Sequence, residues 1–454
     1  SLLRPGVNRI TVRVDNDAQT GDINAAGVIG RIRVEVSGKP HMDVVTDASW
    51  QAHADANRTG AWPAAKVLGP VGLAPWTAQH NPGVERPANL WTCYRTAFEL
   101  AAAPTNAPAR IAVDSKYWLW VNGALVVREG GLKRGPNPRD TWYDVVDLAP
   151  HLVAGRNQIA VLAWYWGVDG FSHKNSGTPG FLFEMDAGGT RVASDATWKT
   201  LRHPAFGTAS TTPNFRLSER PVRFDARLDL PDWFAPAFDD SAWPAAIDHG
   251  APPTAPWNAL HERGIPQWKD YGLKEYENAD ILPKRGGDRS IAARLPYNAQ
   301  VTPWLHVKAP AGVLIKVGMD NPLNEITAEY LTKEGEQTFE TPAWMNGHHV
   351  WYHIPGDVQI LGLKYRESGY DTEFSGRFTC DQEFFNRLWI KSQRTLYVTM
   401  RDNFMDCPDR ERAAWWGDIV VELGEVFYSL SPSAHGLIRK CMLDLCGWQR
   451  PSKT

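Results

Sequence analysis

Cysteine is scarce in this chain: five in 454 residues, at Cys93, Cys380, Cys407, Cys441 and Cys446. Their number is odd and no two stand in CxxC spacing, which argues against a disulfide framework or a zinc ribbon. A basic excess is also lacking. The formal net charge is −3, so nothing in the charge balance points to nucleic acid. No run approaches the ~20 apolar residues that a membrane-spanning helix needs. Neither a Met nor a leader stands at Ser1. The chain opens inside what reads as a strand, with Ile10, Val12 and Val14 alternating. A leader missing from such an end says nothing against export. The compartment stays open, with a periplasmic or secreted placement slightly favoured over the cytoplasm.

What is plentiful is tryptophan and proline, 21 and 33 residues. That balance suits a β-rich chain with many loops. Exposed indoles would also suit the apolar faces of sugars, although most Trp side chains serve as core or interface packing.

The sequence repeats itself. "GVNRITV" at Gly6 returns as "GRNQIAV" at Gly155, "GRIRVEV" at Gly30 aligns with "GFLFEMD" at Gly180, and "DASW" at Asp47 matches "DATW" at Asp195, at offsets of 149, 150 and 148 residues. "AWPAA" recurs at Ala61 and Ala242, and "APW" at Ala74 and Ala255, the offset stretching to 181 through an insert at roughly 203–240. Five ordered matches predict two related β-modules, each followed by a Trp/Pro-rich connector. The second copy starts some 60 residues before its Gly155, whereas the first reaches Gly6 almost at once. The first module is therefore expected to lack its N-terminal half.

Within the second copy, Asn122-Gly123 between apolar runs is a hairpin signal. Alternation ahead of it places Trp118 and Trp120 on one face and Tyr117 and Leu119 on the other. Those indoles either pack a core or line a sugar-binding face. Period-2 patterns return between Ser290 and Phe378, and after Cys380 the period becomes helical, with Asp381 expected to cap the first helix. A second helix is predicted over about 415–430, and a third from Ser433 or His435 to Cys446-Gly447. The predicted organisation is multidomain. Residues 1–40 are the C-terminal part of a truncated, jelly-roll-like β-sandwich and 41–91 a connector. Residues 92–200 form a carbohydrate-binding-like sandwich, 201–289 a second connector, and 290–377 a third sandwich. A helical domain begins at 378 and runs to 454.

Chemistry concentrates in "DCPDRERAAWWGD", Asp406 to Asp418. If a helix runs through, Glu411 and Asp418 share a face with Trp415 between them. Carboxylates accept from hydroxyls, an indole takes an apolar ring face, and Arg410 and Arg412 hold the acids in place. Asp406, Glu411 and Asp418 are the candidate catalytic residues, since glycoside hydrolysis takes two carboxyl groups flanking the bond. Arg410, Trp415 and Trp416 are the candidate substrate-binding residues. A solvated helix start is the plainer alternative.

This stretch resembles the signature of bacterial α-L-rhamnosidases, glycoside hydrolase family 78, D-C-P-Q-R-E-R-x-G-W-x-G-D. Asp406, Cys407, Pro408, Arg410, Glu411, Arg412, Trp415, Gly417 and Asp418 match, with Asp409 in place of Gln and Ala414 in place of Gly. "FTCDQEFFNRLW" resembles that family's entry into its helical domain, and "YRTAFEL", "VDSKYWLWVNG" and "GRNQIAVLAWYWG" resemble its N-terminal sandwich. The resemblance implies an (α/α)6 barrel after the sandwiches, of which only the first helices are expected here. It also implies inverting hydrolysis of terminal α-L-rhamnosyl residues in glycosides or polysaccharides, with Asp406, Arg410, Glu411, Trp415 and Asp418 lining the sugar pocket. Because further catalytic carboxylates of the family lie later in the barrel, this chain alone is expected to be inactive. No cofactor is required by this reading and no residue is assigned to a metal. Some members hold rhamnose through calcium in a β-module, for which Asp114 and Asn122 are candidates, though strand and turn roles explain both equally. The alternatives are another six-hairpin glycosidase or a non-catalytic array of carbohydrate-binding modules.

Overall fold

The computed structural model describes residues 7–12, 31–34, 42–53, 59–66, 88–131, 135–321 and 326–449. The chain divides into two units, Ser1–Arg86 and Pro87–Thr454. In the first, strand β1 (Arg31–Val34) pairs antiparallel with β2 (Met42–Val45). Ile10 and Val12, expected on a strand, are exposed and lie in no strand among the described residues. Val14 lies outside the described residues.

In the second unit β3 (Leu90–Leu100), β4 (Pro108–Asp114), β5 (Lys116–Val121), β6 (Ala124–Gly131), β7 (Thr141–Asp147), β8 (Gly155–Tyr165), β9 (Gly180–Ala187), β10 (Thr190–Ala193) and β11 (Lys199–Arg202) build a sandwich. Its sheets run β10-β9-β4-β7 and β11-β3-β8-β5-β6. Asn122 and Gly123 both have positive φ, 51° and 84°, and close the predicted β5–β6 hairpin. Ile111, Leu119, Val121, Ile159, Phe183 and Trp198 fill the space between the sheets.

The repeat is visible in hydrogen bonds. Trp50 donates its amide to Asp47 and its indole N–H to Val45, as Trp198 does to Asp195 and Ala193, all at 3.2 and 2.8 Å respectively. The carbonyl of Trp50 accepts from Ala65, and that of Trp198 from Ala246. The "AWPAA" segment thus returns to the same place beside the Asp-x-x-Trp turn in each copy.

β12 (Phe206–Thr208) and β13 (Val222–Asp225) leave the sandwich for a larger sheet, while β14 (Leu260–Glu262) returns to pair with β7. The larger sheet adds β15 (Lys269–Glu275), β16 (Ile291–Ala309), β17 (Leu314–Met319), β18 (Ala328–Leu331), β19 (Gly335–Glu340), β20 (Met345–His353) and β21 (Gln359–Gly369). Its order is β12-β13-β18-β17-β20-β16-β21-β15, with β19 also on β16. Residues 201–289, expected as a connector, therefore supply β12, β13 and β15 to this sheet. Strands of three to seven residues among Pro and Gly give no run long enough to read as period 2.

The alternation in β5 has a clear outcome. Tyr117 and Leu119 enter the sandwich core, while Trp118, with Trp91 and Trp164, enters a second core shared with the larger sheet. Trp118 is 6% exposed. Core packing is its role, and the face expected as a possible sugar platform is covered by the larger sheet. Asp114 and Asn122 also have structural partners. Asp114 accepts from Ser115 and Ser176, both at 2.5 Å, and Asn122 binds His151, Asn157 and Gln158 at 2.9 Å.

Helices α1 (Glu383–Val398), α2 (Trp416–Ser429) and α3 (His435–Gly447) follow. The residue preceding α1 is Gln382, not Asp381, and no side chain caps it; Asn386 instead bonds back to both backbone groups of Cys380 at 2.9 Å. Buried Glu367 on β21 takes Lys274 from β15 and Arg394 from α1, each at 2.7 Å, which fixes the first helix on the sheet. Leu396, Tyr397, Ile419, Leu423, Val426 and Leu437 form the helical core. On their other side the helices expose Phe384, Ile390, Val421, Phe427, Tyr428 and Leu443.

Candidate active site

The loop between α1 and α2 turns at Pro408–Glu411 and then runs without regular structure to Trp415. Arg412 adopts φ +49°, which stops any helix there. Glu411 and Asp418 consequently do not share a helical face, contrary to the seven-residue reading. Trp415 stands just before α2 and reaches Glu411 through its own side chain, Nε1 donating to Oε2 at 2.5 Å.

Asp406 anchors the loop. Its amide donates to the Ala413 carbonyl and its Oδ1 accepts from the Ala413 amide, both at 2.9 Å. Cys407 Sγ donates to Oδ2 at 3.2 Å. Burial raises the Asp406 carboxyl above its ordinary range, and the Ala413 and Cys407 donors offset only part of this. Arg410 lies 3.9 Å from Asp406 and 3.0 Å from Glu411. A second segment brings Arg216 within 3.5 Å of the same Glu411 oxygen, Oε1. Phe171 meets Trp415 edge-on at 5.6 Å and Phe215 at 6.1 Å, and all three rings are substantially exposed. Asn214 donates to the Arg410 carbonyl at 2.7 Å, and Asn321 hydrogen-bonds Asp409, the residue that replaces the usual Gln.

Asp406, Arg410, Glu411 and Trp415 are thus together. Asp418 sits exposed in the first turn of α2. Trp416 packs against the helical core rather than beside Glu411.

Beneath the loop lies a buried row of charge. Arg412, 4% exposed, pairs with Glu219 at 2.8 Å, donates to Trp344 O at 3.1 Å, and lies 3.3 Å over the Trp344 ring. Glu219 meets Lys116 at 3.3 Å, Lys116 pairs with Glu129, and Glu129 takes Arg401 at 2.6 Å. Burial alone would raise the Glu219 carboxyl, but Arg412 and Lys116 hold it below its ordinary value. The loop therefore rests on the sandwich through alternating ion pairs.

Sequence reasoning passed over Glu422. It lies one helical turn after Asp418, and its Oε2 is buried with no hydrogen-bond partner among the described residues. Burial, with Glu425, Asp406 and Asp418 nearby, pushes its carboxyl up to about 8. An acid inside the apolar run "IVVELGEV", with Glu425 three residues on, was the available signal. Arg216 and Glu219 carried no such signal, since they reach the loop from a segment nearly 200 residues earlier.

β-modules thus lead into helical hairpins, with an acid and an indole bonded on the joining loop. Residues 373–454 match the family described as bacterial alpha-L-rhamnosidase 6 hairpin glycosidase domain. An α-L-rhamnosidase of Streptomyces avermitilis is 28% identical over 97% of this chain and 44% of its own length. One from Formosa agariphila is 24% identical over 79% of this chain and 40% of its own length. The chain thus spans less than half the length of these curated relatives. Among solved structures, the family 78 rhamnosidase of Bacillus sp. GL1 shares the fold at a TM-score of 0.69 and 18% identity, covering 79% of this chain and 61% of the other. The Streptomyces avermitilis α-L-rhamnosidase complexed with L-rhamnose gives 0.64 at 19% identity, over 93% and 42%. The resemblance read from the Asp406–Asp418 motif is to family 78 α-L-rhamnosidases, and sequence and fold agree on it.

Proposed function

We propose that this chain supplies the front β-modules and the first helical hairpins of an inverting α-L-rhamnosidase acting on terminal α-L-rhamnosyl residues of glycosides or polysaccharides. In this reading residues 92–200 are a carbohydrate-binding-like sandwich, 290–377 belong to a third β-module, and 378–454 open an (α/α)6 barrel. The exposed apolar side of α1, α2 and α3 is where further hairpins would pack.

The observation that carries the reading is the Glu411–Trp415 hydrogen bond beside raised Asp406, on the loop whose residues match the family motif. A carboxyl group kept protonated more readily than usual is suited to give a proton to a leaving oxygen. Asp406 and Glu411 are the acids we assign to the sugar site, with Asp418 as the third member. Arg410 positions Glu411, and the exposed Trp415 ring offers a plane for the apolar face of the sugar. Inversion requires an acid and a base about 6.5–9.5 Å apart with a water between. We assign the partner carboxylate to later hairpins, so the 454-residue chain alone does not hydrolyse.

The test is release of L-rhamnose from an aryl α-L-rhamnoside, with the anomer first formed read by NMR. β-L-rhamnose from a longer form and no release by the 454-residue chain are expected. Retention of configuration would overturn the mechanism, and a preference for another terminal sugar would overturn the substrate.

A further inference from the structure

Two loops from the β-modules meet the Glu411 loop. One, between β8 and β9, carries Phe171; the other, between β12 and β13, carries Phe215 and Arg216. Their backbones are joined, the Phe171 amide donating to the Arg216 carbonyl at 2.8 Å. A Cβ at Gly170 would stand 2.7 Å from the Arg216 carbonyl oxygen and from the Ser218 nitrogen, so glycine is what lets the loops approach. Asn214 ties the pair to the motif, accepting from the Arg216 amide at 3.0 Å while donating to the Arg410 carbonyl at 2.7 Å. The placing of Phe171 and Phe215 beside Trp415 is therefore fixed by backbone contacts.

The rings themselves are open. Phe215 is 69% exposed, Phe171 47% and Trp415 46%. Phe171 meets both of the others edge-on, at 75° to Trp415 and 80° to Phe215. Exposed apolar rings grouped beside an acid offer a seat to an apolar part of a ligand. The Arg216 guanidinium reaches within 3.5 Å of Glu411 and also lies 4.3 Å over the Phe215 ring. Phe215 thus stands one guanidinium away from the carboxylate assigned to the sugar. A group held there is one joined to the sugar, with Trp415 left for the sugar itself.

The chemistry of the rings selects that group. Phenyl side chains have no hydrogen-bonding atom. Asn214, the amide beside them, is 4% exposed and has both side-chain atoms engaged. A second sugar would bring hydroxyls that find no partner on the two phenyl rings. A flat aryl group needs none, and can meet Phe171 or Phe215 in the same edge-to-face contacts that these rings already make.

We propose that Phe171 and Phe215 form the leaving-group side of the sugar site and hold an aromatic aglycone next to the rhamnosyl unit. The inference rests on the rhamnosidase reading of the Glu411 loop and narrows its substrates to aryl glycosides.

The 454-residue chain serves for the test. Ligand-observed NMR would compare 4-nitrophenyl α-L-rhamnoside, methyl α-L-rhamnoside, a rhamnosyl-glucose disaccharide and 4-nitrophenyl β-D-glucoside. The aryl rhamnoside should bind roughly ten-fold tighter than the methyl rhamnoside, a gain of about 1.4 kcal/mol, and the disaccharide should show no such gain. Phe215→Leu keeps an apolar side chain at an exposed position, so the fold is not at stake, and it should abolish most of the aryl-over-methyl preference. Phe171→Leu should do the same. No binding of the aryl rhamnoside, equal binding of the aryl and methyl rhamnosides, an equal gain for the disaccharide, or a preference unchanged in both variants would each overturn the proposal. The sugar is scored separately. Methyl rhamnoside bound without an aryl gain would sink the ring platform and leave rhamnose standing. Equal binding of the aryl glucoside, lost in Phe215→Leu, would support the platform and count against rhamnose.

Discussion

The indole N–H of Trp415 and the carboxylate of Glu411 lie 2.5 Å apart, joining a residue before α2 to one in the turn ahead of it. The other Glu411 oxygen lies 3.0 Å from Arg410 and 3.5 Å from Arg216. One carboxylate is thus steered from both sides. Trp415→Phe keeps a ring and removes the donor. In a form that hydrolyses rhamnosides, kcat/KM should fall roughly ten- to a hundred-fold, since a hydrogen bond to a charged group contributes about 1.5–3 kcal/mol. Steady-state kinetics on an aryl rhamnoside measure it, and an unchanged value removes this contact from the mechanism.

Glu411→Gln tests the acid itself. The amide keeps the shape and can still accept from Trp415, so thermal unfolding should shift by only a few degrees. Rate should drop by about 10²–10⁴, the usual contribution of a positioned acid or base. A near-normal rate with a folded variant would take Glu411 out of the site.

Glu219 supports the loop from below. Glu219→Gln leaves Arg412 and Lys116 without their shared carboxylate, and breaking a buried pair costs about 3–5 kcal/mol. Adding Arg412→Met should recover part of that loss, because the stranded guanidinium is gone. Urea unfolding of the two single variants and the double reports the coupling. Strict additivity would show that the pair is not a unit.

Glu422 makes stability depend on pH. Its carboxyl has an ordinary value of 4.5 and titrates near 8 in the fold. Between those values the folded chain holds the proton that the unfolded chain has released. Stability from this group is therefore full below about pH 4.5 and declines as pH rises towards 8. Glu422→Gln stays neutral, so it should unfold at a higher temperature than the native chain at pH 8 and at about the same temperature at pH 4. Scanning calorimetry at both values decides it, and a variant less stable at pH 8 would contradict the burial argument.

Local signals read well from sequence. Asn122-Gly123 needs only its own backbone to make a turn, and the Asp-x-x-Trp repeat reforms the same short hydrogen bonds at Trp50 and Trp198. The contiguous motif likewise delivered Asp406, Arg410, Glu411 and Trp415 as neighbours. Its internal geometry did not follow from spacing, because Arg412 leaves the helical region to reach Glu219. The alternation of Trp118 was readable, yet its burial depended on a sheet whose strands β12 and β13 are too short to announce themselves. Trp416, expected beside the sugar, was drawn into the helical core because α2 begins at that residue.

Arg401, Glu129, Lys116, Glu219 and Arg412 have a further meaning for how such chains can be recombined. The two arginines belong to the α1–α2 loop, while Lys116 and Glu129 belong to strands of the sandwich. A chimaera that grafts these hairpins onto a foreign β-module would inherit two interior guanidiniums without their counter-ions, however well the new linker were chosen. The β-module and the hairpins are therefore one unit of inheritance, and a workable crossover point lies outside the span from Lys116 to Arg412.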